Sequence, residues 1–266
     1  MLLNAEWENL NELVASLYGI KNATAMRKAF LTRLMSLIDF DFADFNLSQA
    51  QHEQGRWLED PVVVSIFDND TEETFTKLYE TKYYKIDYVS WIFAHHKSIA
   101  YRESDLISET VRKESKFYKD YLAKYDLGSV AGVSIISAGR LTGAVTLYKS
   151  EQKGDFSERD IYILQRLLPH LQNVLESRQE KQEKEREAVK RILKYQYGIT
   201  KKELQIMGQI LLGYSNGEIA AANKTSKNTA KSHIANIFDK TGVNSRTQLI
   251  HFLIRNRFLD SLGHEP

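Results

Sequence analysis

The 266-residue chain contains no cysteine. That removes disulfides, thiol nucleophiles and cysteine-ligated metals at once, and it suits a reducing compartment. No apolar run approaches the roughly 18–20 residues that a bilayer span needs. The opening MLLNAEWENLNEL lacks the basic start and apolar stretch of a secretion signal. A soluble cytoplasmic protein with no membrane partner is expected. Gly-rich phosphate loops, zinc spacings, nucleophile motifs and internal repeats are also missing. The adjacent His95 and His96 diverge on a helix and do not simply share a metal. Asp39, Asp41 and Asp44 alternate with phenylalanines; on a strand, Asp39 and Asp41 point to the same solvated face, which reads as amphipathic patterning rather than a catalytic carboxylate pair. Nothing in the chain calls for a cofactor, a metal or catalysis, and no enzyme is expected.

What is present is enough apolar material for two cores: 42% hydrophobic residues, with 14 Tyr, 12 Phe and 3 Trp. The net charge of +1 hides an uneven distribution. Residues 1–176 carry 20 basic and 26 acidic side chains, residues 177–196 carry 7 and 4, and residues 197–266 carry 9 and 5. An acidic front and a basic tail point to a polyanion at the tail alone.

The segment RQEKQEKEREAVKR (178–191) has ten charged residues in fourteen and neither glycine nor proline. Almost all are good or fair helix formers, so it reads as an exposed helical connector. Just upstream, Ile161, Leu164, Leu167, Leu168, Leu171 and Leu175 fall at helical spacing, with Ser157 and Asp160 as a start signal and Pro169 as an expected bend.

In the tail, Thr200–Glu203 and Ser215–Glu218 are two capping boxes, in which a hydroxyl and a carboxylate satisfy each other's exposed backbone donors. Gly213 is the expected left-handed stop after the first helix. Ser226 caps a third helix over 227–240, Gly242 ends it, and Asn244 or Ser245 opens a fourth. Ala230, Ile234 and Ile237 of the third helix point towards its neighbours. Lys227, Lys231, Ser232 and Ala235 lie on another face, small, polar and basic, as entry into a major groove demands.

The stretch from Ile199 to Ile250 resembles the LuxR/NarL-type helix-turn-helix. The shared marks are Thr200, Glu203, Gly213, the Ser215-Asn216-x-Glu218-Ile219-Ala220 run, Ser226, Thr229, Lys231, His233, Ile237, Lys240, Gly242-Val243 and Ser245-Arg246. Lys201, Gln205 and Thr241 depart from the pattern. The resemblance implies that helix 227–240 reads DNA, with Lys231, Ser232 and Ala235 at base edges. Lys227, Asn228, Thr229, Lys240 and Arg246 then neighbour phosphates. It also implies dimerisation, with Leu249, Ile250, Leu253 and Ile254 as seam candidates and an inverted-repeat duplex as target.

The front alternates helix and strand signals. Helices are expected at 5–18, 24–37, roughly 73–96 and 105–122, with strands at DFADFNL and at VVVSI (62–66), the latter central. A hairpin is expected around Ser137–Arg140, and a closing helix from 157. This is a PAS/GAF-type plan. IDFDFADF, YYKIDYVSW, AYRESDL and the segment ending RDIYILQRLLPHL resemble the GAF-like sensor half of LuxR-type regulators. There an aspartate after paired tyrosines accepts a ligand amide, and Asp87 holds that place. Thr74, Leu78 and Tyr101-Arg102 stand where acyl-homoserine lactone sensors carry aromatic contacts, which argues against that ligand. Tyr84, Asp87, Trp91 and Tyr101 are the candidate pocket residues for another small molecule.

The expected fold is α+β: a PAS/GAF-like antiparallel sheet with flanking helices over 1–176, a charged helical linker over 177–196, and an all-α four-helix helix-turn-helix domain over 197–266. The expected function is a homodimeric one-component transcription regulator whose front senses a small molecule. The alternative is an anti-activator that pairs with another regulator instead of binding DNA. Salt-dependent binding to duplex DNA separates the two.

Overall fold

A computed structural model describes residues 4–48 and 56–262. The chain divides into two compact units, Met1–Ser177 and Arg178–Pro266.

The front unit is built on a five-stranded antiparallel sheet: β1 (Phe42–Ser48), β2 (Leu58–Ser65), β3 (Ile99–Arg102), β4 (Leu127–Ser137) and β5 (Arg140–Ser150). Their spatial order is β2-β1-β5-β4-β3, so the β4–β5 hairpin lies in the middle. This is the PAS/GAF-like sheet expected, with one correction. The VVVSI strand is at the edge, not the centre. Pro61 within it has no N–H to give to a second neighbour, which is the reason an edge suits it.

Each strand sends alternate side chains to opposite faces. One face, with Ala43, Phe45, Val133, Ile135, Val145 and Leu147, packs on α1 (Asn4–Gly19), α2 (Ala23–Leu34) and the first half of α7 (Glu158–Tyr197). Ser157 and Asp160 cap α7 reciprocally, and the helix passes through Pro169 unbroken for 40 residues. The buried Arg27 guanidinium ties α2 to the sheet edge through Asp60 at 2.5 Å, where the β1–β2 register shifts.

The other face carries Phe42, Val130 and Tyr148 and is covered by α3 (Asn69–Thr81), α4 (Glu103–Leu106), α5 (Glu109–Glu114) and α6 (Lys116–Asp120). The helix expected over 73–96 is not continuous. It ends at Lys82, whose backbone (φ −132°, ψ −55°) is not helical, and gives way to 3-10 turns at Tyr83–Lys85 and Ser90–Ala94. The helix expected over 105–122 is likewise split, by caps at Ser108 and Ser115 that each restart the chain.

The second unit contains α8 (Lys201–Leu211), α9 (Asn216–Ala222), α10 (Lys227–Thr241), α11 (Arg246–Arg255) and α12 (Leu259–Leu262). Both capping boxes form, Ser226 and Ser245 cap α10 and α11, and Gly242 ends α10 with φ 68°, a left-handed angle open to glycine. The charged connector is only half an exposed one. Residues 179–185 are exposed, but Val189 and Leu193 are buried and join the core of Ile206, Met207, Ile210, Ala230, Ile237 and Leu253. The helical module is therefore larger than four helices, completed by the end of α7 and by Phe258 and Leu262.

Candidate nucleic-acid interface and sensor cavity

The tail presents one helix in a particular way. Ile219 and Ala220 of α9 are buried, and Ala220 and Ala230 are small enough to let α9 and α10 approach closely. Between them the chain turns in four residues. Lys224 has φ +52°, and the Thr225 N–H bonds back to the Ala220 carbonyl at 2.9 Å. Asn223 fixes the turn, donating to Gln209 at 2.7 Å and accepting from Lys202 at 2.6 Å. α10 then buries Ala230, Ile234 and Ile237, leaving Lys227, Asn228, Thr229, Lys231, Ser232 and Ala235 exposed. The Ser226 hydroxyl accepts from the Thr229 N–H at 3.0 Å. Other amides of this first turn have no intrahelical partner and add positive potential to that of the lysines.

Two of the expected phosphate contacts also have partners within the unit. Lys240 gives its ammonium to both Glu203 oxygens, at 2.9 and 2.6 Å, and to the Gly198 carbonyl at 2.8 Å. An ammonium has three donors, and these partners occupy them. Arg246 bonds the Tyr214 carbonyl at 2.5 Å and Asn216 Oδ1 at 2.6 Å, fastening α11 to the start of α9. Both residues brace the scaffold, and these two bonds use two of the five donors of Arg246. The seam candidates split as well. Leu249 and Leu253 are fully buried in the unit's own core, so they have no surface to offer a partner, whereas Ile250 is half-buried and Ile254 is 51% exposed. Thr241 is buried, and its hydroxyl returns to the Ile237 carbonyl at 2.7 Å.

In the front unit, a small cavity lies against the sheet face that carries Val130 and Tyr148. Asp44, Asn46, Tyr79, Asp87, Tyr101, Glu103 and Thr146 line it, with a free volume of about 20 Å³. Two of the four sequence candidates are here. Asp87 accepts from the Tyr79 hydroxyl at 2.8 Å and from the Val89 N–H at 3.0 Å. Burial pushes its carboxyl above the ordinary range against the pull of those bonds. Tyr101 reaches over the sheet, and burial raises its phenol strongly. Tyr84 instead lines a neighbouring recess with Arg56 and Trp57, which shares Asn46, Leu58, Tyr79 and Phe93 with the cavity. Trp91 does not line the cavity. The segment is a 3-10 turn, not an α-helix, so Trp91 points outward, 48% exposed, beside His95.

Asp44 is a site residue that the sequence reading did not pick out. It shares its strand face with Phe42 and Asn46, and burial pushes its carboxyl up to about 7. Hydrogen bonds from Thr146 and Asn46 oppose that rise, and the nearby Asp87 charge adds to it. Asp41 is also buried, accepting from the Ser150 N–H at 2.7 Å and pairing with Lys153 at 2.6 Å. Only Asp39 of the three keeps a solvated carboxyl.

Residues 198–253 match the GerE family, described as bacterial regulatory proteins of the luxR family. The tail is a LuxR-family helix-turn-helix domain. The response regulator protein VraR of Staphylococcus aureus is 36% identical over 61 residues, which are 23% of this chain and 29% of VraR. The chain thus spans less than a third of the curated relatives it matches. Among solved structures, Escherichia coli SdiA is 13% identical, with a TM-score of 0.43 over 95% of this chain and 98% of SdiA. The VqsR LBD domain of Pseudomonas aeruginosa is 15% identical, also with a TM-score of 0.43, over 67% of this chain and 98% of the VqsR domain.

Within the LuxR-family domain, two exposed residues beside the expected contacts escaped the sequence reading: Lys224 in the turn and Asn236, one residue beyond Ala235. The charge of Lys224 and the helical spacing of Asn236 from Ser232 were the available signals. Among the described residues, no helix is long and apolar enough to cross a membrane.

Proposed function

We propose that this chain is a one-component transcription regulator of the LuxR family. In this reading a pair of tails binds an inverted repeat in duplex DNA, and residues 1–176 sense a small molecule in the cytoplasm. The observation that carries it is the exposed amino-terminal face of α10, within the segment that matches the luxR family. Lys231, Ser232 and Ala235 are set to face base edges, and Lys227, Asn228 and Thr229 to face phosphates. Lysine donates to guanine O6 and N7, serine bonds either partner, and alanine admits a thymine methyl. With few long hydrogen-bonding side chains on that face, phosphate contacts and pairing geometry supply much of the affinity.

The test is footprinting of the full-length protein on its own promoter region across a salt series, with Lys231→Ala as a control. A protected inverted repeat whose affinity falls with salt supports the reading. No protection at moderate salt, with or without cell extract, overturns it in favour of a protein that pairs with another regulator.

A further inference from the structure

Among the described residues, the cavity of the front unit holds two carboxyl groups that no cation pairs. Asp44 and Asp87 both line it and repel one another. Among the described residues, neither has a lysine, arginine or histidine within ion-pair distance, whereas the third acid, Glu103, is paired with Arg112 at 2.6 Å. Tyr79, Phe93, Tyr101, Phe117 and Tyr148 line the same cavity. The sheet also makes room. Gly132 has no side chain beneath the Tyr101 hydroxyl, and a Cβ there would lie 3.1 Å from that oxygen and 2.3 Å from the Val145 carbonyl. Further along β4, beyond the cavity lining, Ser134 is wholly buried, and among the described residues its hydroxyl has no hydrogen-bond partner.

We propose that this cavity binds a small molecule through an ammonium head group, a primary or alkylated amine, seated between Asp44 and Asp87. The inference rests on the reading of the front unit as a sensor and names the chemistry it senses. Two facing carboxylates repel a phosphate or carboxylate head. An amide N–H brings no formal charge to set against either of them. An ammonium answers both, and aromatic faces attract it further. The free volume admits one water-sized group, the size of an ammonium head. Glu103 and Val130 also wall an open groove of about 320 Å³ that runs past Arg112, Ser129 and Asp155.

The experiment uses the full chain and three amines, ethanolamine, 1,5-diaminopentane and 2-phenylethylamine, each beside its fully N-acetylated counterpart. Unfolding temperature and titration calorimetry are followed from pH 6 to 8. The expected result is that at least one amine binds and its acetylated form does not. Affinity then rises about tenfold from pH 6 to 8, as the proton competing for Asp44 near pH 7 is lost. Asp44→Asn removes that pH dependence, and it and Asp87→Asn each weaken binding roughly tenfold or more. Both replacements keep shape and remove a buried charge, so the variants fold. Binding of an acetylated form as tightly as its amine overturns the amine head group and leaves the sensor reading standing. No binding by any probe overturns the proposal. If, in addition, both variants leave the footprint unchanged, the sensor reading falls with it.

Discussion

Lys240 Nζ lies 2.6 Å from Glu203 Oε2, joining the last turn of α10 to the first turn of α8 across 37 residues. The same Glu203 carboxylate closes the Thr200 capping box at 2.8 Å, so one buried acid serves a helix start and a helix end. Removing the lysine leaves that acid without its counter-charge. Lys240→Met is expected to destabilise the LuxR-family domain by about 1–3 kcal/mol, seen as faster hydrogen exchange in α8 and α10. Its DNA affinity should keep the wild-type salt dependence once folding is accounted for. A shallower slope would restore Lys240 to the phosphate contacts.

The same pair sets an acid limit. Burial acts to raise the Glu203 carboxyl, but hydrogen bonds from Lys240 and Thr200 outweigh it and hold it below its ordinary 4.5. A depressed carboxyl stabilises the fold fully above its unfolded value and loses that contribution as pH falls through the folded one. Protection of α8 and α10 should therefore be flat above about pH 6 and fall below pH 4.5. Lys240→Met should flatten that fall. An unchanged acid transition in the variant would count against the pair.

On DNA, Lys227 and Lys231 are expected to separate. Lys227→Ala should weaken binding to all duplexes alike and lower the salt slope by about 1. Lys231→Ala should cost about 1–3 kcal/mol on the preferred site and relax sequence preference at one position. Titrations against specific and scrambled duplexes at several salt concentrations distinguish them, and equal effects on both duplexes would make Lys231 a phosphate contact.

The helix-turn-helix was legible because its signals are local. Capping boxes at Thr200 and Ser215, Ser226 before α10 and Gly242 after it are decided within four residues of chain, and the apolar spacing of α10 is regular. The front unit was legible in outline, as helices, a hairpin and a flanked sheet. Its cavity was not, because the deciding facts are long-range. Asp44 alternates with phenylalanines as a solvated acid would, and only the helices laid over that face desolvate it. Nothing between residues 73 and 96 is glycine or proline, so the break at Lys82 has no sequence marker. β3 is four residues long, too short for an alternation to register. The burial of Leu249 and Leu253 was missed for the opposite reason. An apolar stripe on α11 looks the same from sequence whether it faces a core or a second copy.

Asp44 makes a further prediction that needs no ligand. Its carboxyl titrates near 7 in the folded protein and near 3.8 unfolded, so between those values the folded state holds a proton that the unfolded chain has released. Stability of the front unit should fall as pH rises through that window and level off above it. Asp44→Asn should remove the decline and be more stable than wild type at pH 8. Unfolding temperatures of both proteins from pH 5 to 8 check it, and parallel curves would refute the buried titration.

With Leu249 and Leu253 turned inward, α11 shows only Ile250 and Ile254 of its apolar residues at the expected seam. Stable protein interfaces hide roughly 800 Å² on each partner, and two isoleucines cover a small part of that. Tails joined by so narrow a stripe would meet chiefly when both lie on neighbouring half-sites, with the double helix as their scaffold. Promoter occupancy would then climb roughly as the square of the number of copies in the cell, making a steep genetic dosage response the signature of two isoleucines.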